Sequence, residues 1–188
     1  MSLVDLIARA DERGLAASGL ACLDRCVPLL GGDDEILRPL WGNLTDVSDA
    51  AEWGGLLEQA RGKLDAGADV SGEDGDEAVL LARRMLEAAP AERSAAGLRI
   101  WADACSVASL QIHRLLDPAD DPSPLDSRRT GATEGMPPLV AAELRRQVTV
   151  LEVLAGHGAA GLRRALEVST EGRRVLRAVV SRRNRGRR

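Results

Sequence analysis

Phenylalanine and tyrosine are absent from the 188 residues, and three tryptophans are the only aromatic side chains. Leu, Val, Ile and Ala must therefore fill the interior. Such a composition favours helices, because strands draw on β-branched and aromatic residues. No stretch alternates polar and apolar residues for long enough to indicate a strand. Lysine is nearly missing too, since Lys63 is the only one and every other basic side chain is Arg. No apolar run approaches the roughly 18–20 residues of a membrane span. Residues 1–10 lack the basic start and apolar centre of a secretory signal. The three cysteines are too few for a disulfide scaffold and odd in number. Together these features point to a reducing, cytoplasmic setting.

Several chemistries are excluded by missing patterns. There is no phosphate-binding Walker motif and no G-x-G-x-x-G after a strand. Counted from Asp69, a calcium loop would need Gly at its sixth position and Glu at its twelfth, where the chain has Asp74 and Leu80. The Glu-x-x-His pairs of di-iron bundles are absent. The N-terminal 45 residues are acidic and contain no basic recognition helix, which excludes a helix-turn-helix there.

What is present is a succession of amphipathic helices. The longest uninterrupted periodicity covers residues 91–116, with Leu98, Trp101, Cys105, Ile112 and Leu116 on one face. This segment reads as the centre of the fold. Before it, the pattern predicts helices over residues 3–13, ended by Gly14, and 15–30, kinked or terminated near its end by Pro28. Further helices are predicted over 35–43, 47–66 and 76–88, with an acidic Gly-rich loop over 67–77. After it, helices are predicted over 139–155, 159–167 and 170–183, the first with Leu144, Val148, Leu151 and Ala155 inward.

Residues 117–138 hold five of the eight prolines and few aliphatic side chains. They read as a flexible Pro/Asp-rich linker or loop. The expected organisation is an all-α array of about seven to nine helices. A body over residues 1–116 and C-terminal helices over 139–183 flank that linker, and an Arg-rich end over 184–188 is disordered. The C-terminal helices are too few to bury a core alone, so they should pack on the body or on a second copy in a homodimer.

Candidate chemistry is sparse. Cys22 and Cys26 stand four apart and resemble half of a metal site, but no close second pair completes it. The steps Cys105, Ser109, His113 and Asp117 offer nucleophile, base and orienter types, yet four-residue steps on one helix leave them too far apart for a triad. No catalytic residue, metal or cofactor is assigned. The net charge is -4, but residues 172–188 carry eight Arg and no acid. An acidic body with a basic tail marks Arg173, Arg174, Arg177, Arg182, Arg183, Arg185, Arg187 and Arg188 as candidate contacts to nucleic acid or another anionic partner. Arg suits phosphate because its guanidinium binds two oxygens at once.

Three functions follow in order of preference. The first is a non-enzymatic cytoplasmic protein acting through protein–protein interaction in an adaptor, regulatory or assembly role. The second is a nucleic-acid-associated protein using the Arg-rich segment. The third is an enzyme with a site near His113 and Cys105.

Overall fold

The computed structural model describes residues 1–46, 48–66 and 77–186. Val47, most of the acidic loop with Asp76, and the candidates Arg187 and Arg188 lie outside the described residues. Within them the protein is all-α, with nine α-helices and no strand.

The first helix, α1 (Leu3–Arg9), opens with a capping box in which the Ser2 and Asp5 side chains each accept the other's backbone N–H. It stops at Ala10, earlier than Gly14, because Asp11 caps the next helix by accepting the Gly14 N–H at 2.7 Å. Gly14 thus belongs to the first turn of α2 (Glu12–Cys26), and Pro28 lies in the tighter turn Val27–Leu29 that follows.

Helix α2 is the axis of the fold. Every residue from Gly14 to Cys26 is buried, against α6 (Ala95–Leu116), α8 (Pro138–His157) and α9 (Leu162–Gly186). The sequence pattern favoured α6 because its apolar stripe is longer and cleaner. In α2 the inward set includes Ser18, Asp24 and Arg25, which mask its position. Gly19 sets the α2–α6 crossing: a Cβ there would sit 2.6 Å from the Trp101 ring.

The smaller helices close the sides. α3 (Arg38–Asn43) packs on α4 (Trp53–Ala66), and α5 (Glu77–Glu87) packs on α6. Trp53 and Trp101 meet edge to face at 6.2 Å. Their indole N–H groups donate to the carbonyls of Pro90 and Met85, both at 2.9 Å, so neither buried donor is wasted. Arginine forks serve as helix caps. Arg61 donates to the carbonyls of Leu86, Glu87 and Ala89 at the end of α5, and Arg99 does the same for Ile7 and Ala8 at the end of α1.

The stretch read as a linker contains α7 (Leu125–Arg129), and its Arg128 and Arg129 are buried. Arg128 is held by Asp121 and by the carbonyls of Ala132 and Glu134. The α8 face is rotated from the predicted one: Val148 is half-buried and Ala155 exposed, while Val140, Glu143, Gln147, Val150 and Leu154 point inward with Leu144 and Leu151. After a turn at Gly158–Gly161, α9 runs unbroken to Gly186 where two helices were predicted. Ser169 does not interrupt it, because its hydroxyl donates to the Ala165 carbonyl one turn back at 2.9 Å. Leu151, Val168 and Leu176 share one core with Leu23, Leu57 and Leu98, so α8 and α9 pack on the preceding helices.

Candidate functional site

Two polar assemblies stand out, one inside the core and one at its edge. The inner assembly joins α2, α6 and α8. Arg25 donates to both oxygens of Glu143, from Nε at 2.7 Å and Nη2 at 2.6 Å, with no exposed side-chain surface on either residue. Glu143 also accepts from the Ser109 hydroxyl at 2.7 Å and the Gln147 amide at 2.9 Å. Ser106 donates to the Gln147 carbonyl oxygen and accepts from Arg129, whose other end reaches Asp103. The line of contacts therefore runs from the surface at Asp103 to the middle of the core.

The electrostatics follow from this packing. Burial opposes the Glu143 charge, but Arg25 and the donated hydrogen bonds outweigh it and hold the carboxyl well below the usual range. Burial lowers His113 from its ordinary value despite Glu143 nearby, so the ring is neutral near pH 7. Its Nδ1 lies 2.7 Å from the Ser109 carbonyl, which requires Nδ1 to carry the proton. The other nitrogen faces Glu143 at 3.6 Å.

The third sequence hypothesis placed an enzyme site here. His113 is indeed beside the assembly, but it and Cys105 are buried, as are Cys22 and Cys26. Burial pushes the Cys22 thiol up to about 12, and the other two rise as well. Such thiols are poor nucleophiles. Among the described residues, no three His, Cys, Asp or Glu side chains come together to hold a metal ion. Gly172 of α9 seals the assembly from one side, since a Cβ there would lie 2.4 Å from the Arg25 Cδ.

The outer assembly lies where α9 crosses α2 and faces the turn that precedes α3. Arg173 is buried and paired with Asp24, and its Nε lies 3.4 Å from Asp34. Arg177 grips Asp34 with both Nη atoms. The Trp41 indole N–H donates to Asp24 at 3.3 Å. Burial raises the Asp24 carboxyl in spite of Arg173, while the Arg177 hydrogen bonds lower Asp34. Two of the eight candidate arginines are thus engaged in binding α9 to the body. Arg174, Arg182 and Arg185 are exposed and Arg183 is half-buried.

A groove extends from this assembly between α3 and α9. Its polar end is a recess of about 220 Å³ beside Asp24, Arg173 and Arg174. Its apolar end, about 470 Å³, is floored by Trp41, Leu162 and Leu166. The two share Arg38, Trp41 and Leu166 and so form one continuous feature.

The inner assembly and the groove were both missed in the sequence. Glu143 and Gln147, one turn apart in the inward register of Val140, Leu151 and Leu154, were the available signal for the first. Arg25 carried a similar signal, between the inward Cys22 and Cys26. The groove has no such signal, because Trp41 and Leu166 come from opposite ends of the chain. Comparison of the chain with protein families, with curated proteins and with solved structures gives no match.

Proposed function

We propose that this chain is a non-enzymatic protein that acts by binding another protein, in an adaptor, regulatory or assembly role. One observation carries the reading: His113 and the three cysteines are sealed in the core, whereas Trp, Leu and Arg, the types that anchor interfaces, line an open groove. Among the described residues no helix is long and apolar enough to cross a membrane. The test is purification of the tagged full chain from its native cells after mild crosslinking, then reconstitution with the recovered protein in pure form. Saturable binding of a defined partner is expected. Substrate turnover by the purified chain, abolished by His113→Ala, would sink the reading.

A second reading, nucleic-acid association, draws on exposed Arg174, Arg182 and Arg185 along one helix. It requires affinity for RNA or duplex DNA that falls steeply with salt. Pairing of Arg173 and Arg177 with acids of the body leaves fewer cations for phosphate than the sequence suggested. For that reason it stands behind protein binding.

A further inference from the structure

We propose that the groove between α3 and α9 docks an amphipathic helix of a partner protein, one whose apolar face is followed by an acidic side chain. The proposal rests on the protein-binding reading above and names the surface and the partner's chemistry. The walls are themselves helical, and a helix laid in such a trough buries an apolar stripe along it. The floor supplies Trp41, Leu162 and Leu166, an aromatic and two aliphatic anchors. Gly42 leaves the α3 wall open, since a Cβ built there meets nothing within 4 Å.

Charge fixes the polarity of the guest. At the polar end, Asp24 and Asp34 are already taken by Arg173 and Arg177, and Glu35 by Arg38. Arg174 lines the same recess, is exposed, and makes no hydrogen bond or ion pair among the described residues. Its charge reaches Asp34, but among the described residues no carboxylate is in contact with it, so a guest carboxylate can pair with it directly. Leu162 and Arg174 are twelve residues apart on α9, about 18 Å at a rise of about 1.5 Å per residue. A guest helix of roughly three turns spans that distance, with apolar residues at i, i+3 or i+4 and i+7, and the acid about one turn later.

The experiment is a display selection of random 16-residue peptides on the full chain, followed by fluorescence anisotropy with the enriched peptides. Three proteins are compared: the natural chain, Gly42→Trp, which fills the groove, and Arg174→Glu, which reverses the free charge. Both substitutions fall at exposed positions, and circular dichroism confirms that the fold is retained. The expected result is peptides with the stated apolar spacing and terminal acid, bound at least ten times more weakly by either variant. Replacing the peptide's acid by Lys should weaken binding to the natural chain and restore it to Arg174→Glu. Peptides without the pattern, peptides indifferent to Gly42→Trp, or no enriched peptide at all would overturn the proposal. So would a dimer of this chain that dissociates on Gly42→Trp, because a second copy would then be the occupant. A native partner that binds both variants unchanged would remove the groove and leave the protein-binding reading intact.

Discussion

Arg25 and Glu143, separated by 118 positions in the chain, close a two-pronged ion pair with no solvent exposure on either side chain. Such a pair joins the second helix to the eighth, but its two charges were both taken out of water to form it. Removing one partner leaves the other as an uncompensated buried charge, whereas replacing both with apolar groups removes the problem. Glu143→Leu alone should therefore cost about 3–5 kcal/mol of unfolding free energy, and Arg25→Met with Glu143→Leu distinctly less. Urea denaturation of the two single variants and the double variant completes the cycle. Strictly additive losses would show that the pair does not act as a unit.

The same assembly makes stability depend on pH. His113 is lowered below its ordinary 6.5, so the unfolded chain binds this proton more readily than the folded one. Stability is then greatest above about pH 7 and falls as pH drops through 6.5 towards the folded value. Glu143 acts in the same direction further down. Its carboxyl is held below 4.5 by Arg25, so the stability it contributes above that value is lost as acid protonates it. Asp24, raised by burial, works in the opposite sense: the folded chain takes up its proton first, which adds stability as pH falls from its raised value to about 3.8. Melting temperature should be flat from pH 8 to about pH 7 and decline from there to pH 5, and His113→Gln should flatten that limb. An unchanged slope in the variant would assign the decline to other groups.

Gly19 and Trp101 make a sharper packing test. A Cβ at residue 19 would lie 2.6 Å from the indole ring, too close for any real contact. Gly19→Ala gains about 1 kcal/mol of helix propensity. Against that, overpacking costs about 1–3 kcal/mol. A net loss is expected because Trp101 is only 2% exposed and wedged against Trp53. A rise in melting temperature would mean that α2 and α6 separate without penalty.

These residues also show what the sequence could disclose. The helices were readable where apolar residues recur on one face, as in α6, where Leu98, Trp101, Cys105 and Ile112 are all buried. Where a buried face carries charge, the same pattern misled. Arg25 and Glu143 look like surface residues, and each is neutralised only by a partner that the linear pattern does not reveal. The break between α1 and α2 was misplaced because Gly14 is a strong stop signal, while the Asp11 cap that begins the next helix is a weaker one. In α9, Arg173 and Arg177 read as candidate contacts to an anionic partner, and the sequence does not show that Asp24 and Asp34, far away in the chain, are the acids they meet. Of the candidate contacts, Arg182 and Arg185 are exposed, and Arg174 gains its distinctive place from the α3 wall beside it.

Cysteine chemistry gives an independent check on the sealed core. Cys22, Cys26 and Cys105 are free and buried, with burial driving all three thiols upward. At pH 8 a disulfide-exchange reagent should titrate almost no thiol in the folded protein and all three in guanidinium. Rapid reaction of one thiol in the folded state would reveal an opening that makes the core accessible after all.

The last prediction concerns where α9 can be cut. Truncation after Glu171 removes Gly172, Arg173 and Leu176, all buried. Asp24, 1% exposed, would lose the guanidinium that compensates it, a cost of about 3–5 kcal/mol. Losing Leu176, 0% exposed, adds about 2–5 kcal/mol. Against a typical total of about 5–15 kcal/mol, the shortened chain should lose most of its stability, seen as a large drop in melting temperature. Truncation after Val180 keeps those contacts and removes Arg182, Arg183, Arg185, Arg187 and Arg188. Its melting temperature should stay within a few degrees of the full chain. This shorter cut is therefore the one to use for nucleic acid. Salt-sensitive anisotropy with RNA or duplex DNA, present in the full chain and absent after cutting at Val180, would place phosphate contacts on the exposed end of α9. Equal binding by both would assign any such affinity to Arg174 or to the body. Absence of binding in both would leave the terminal arginines without a nucleic-acid role.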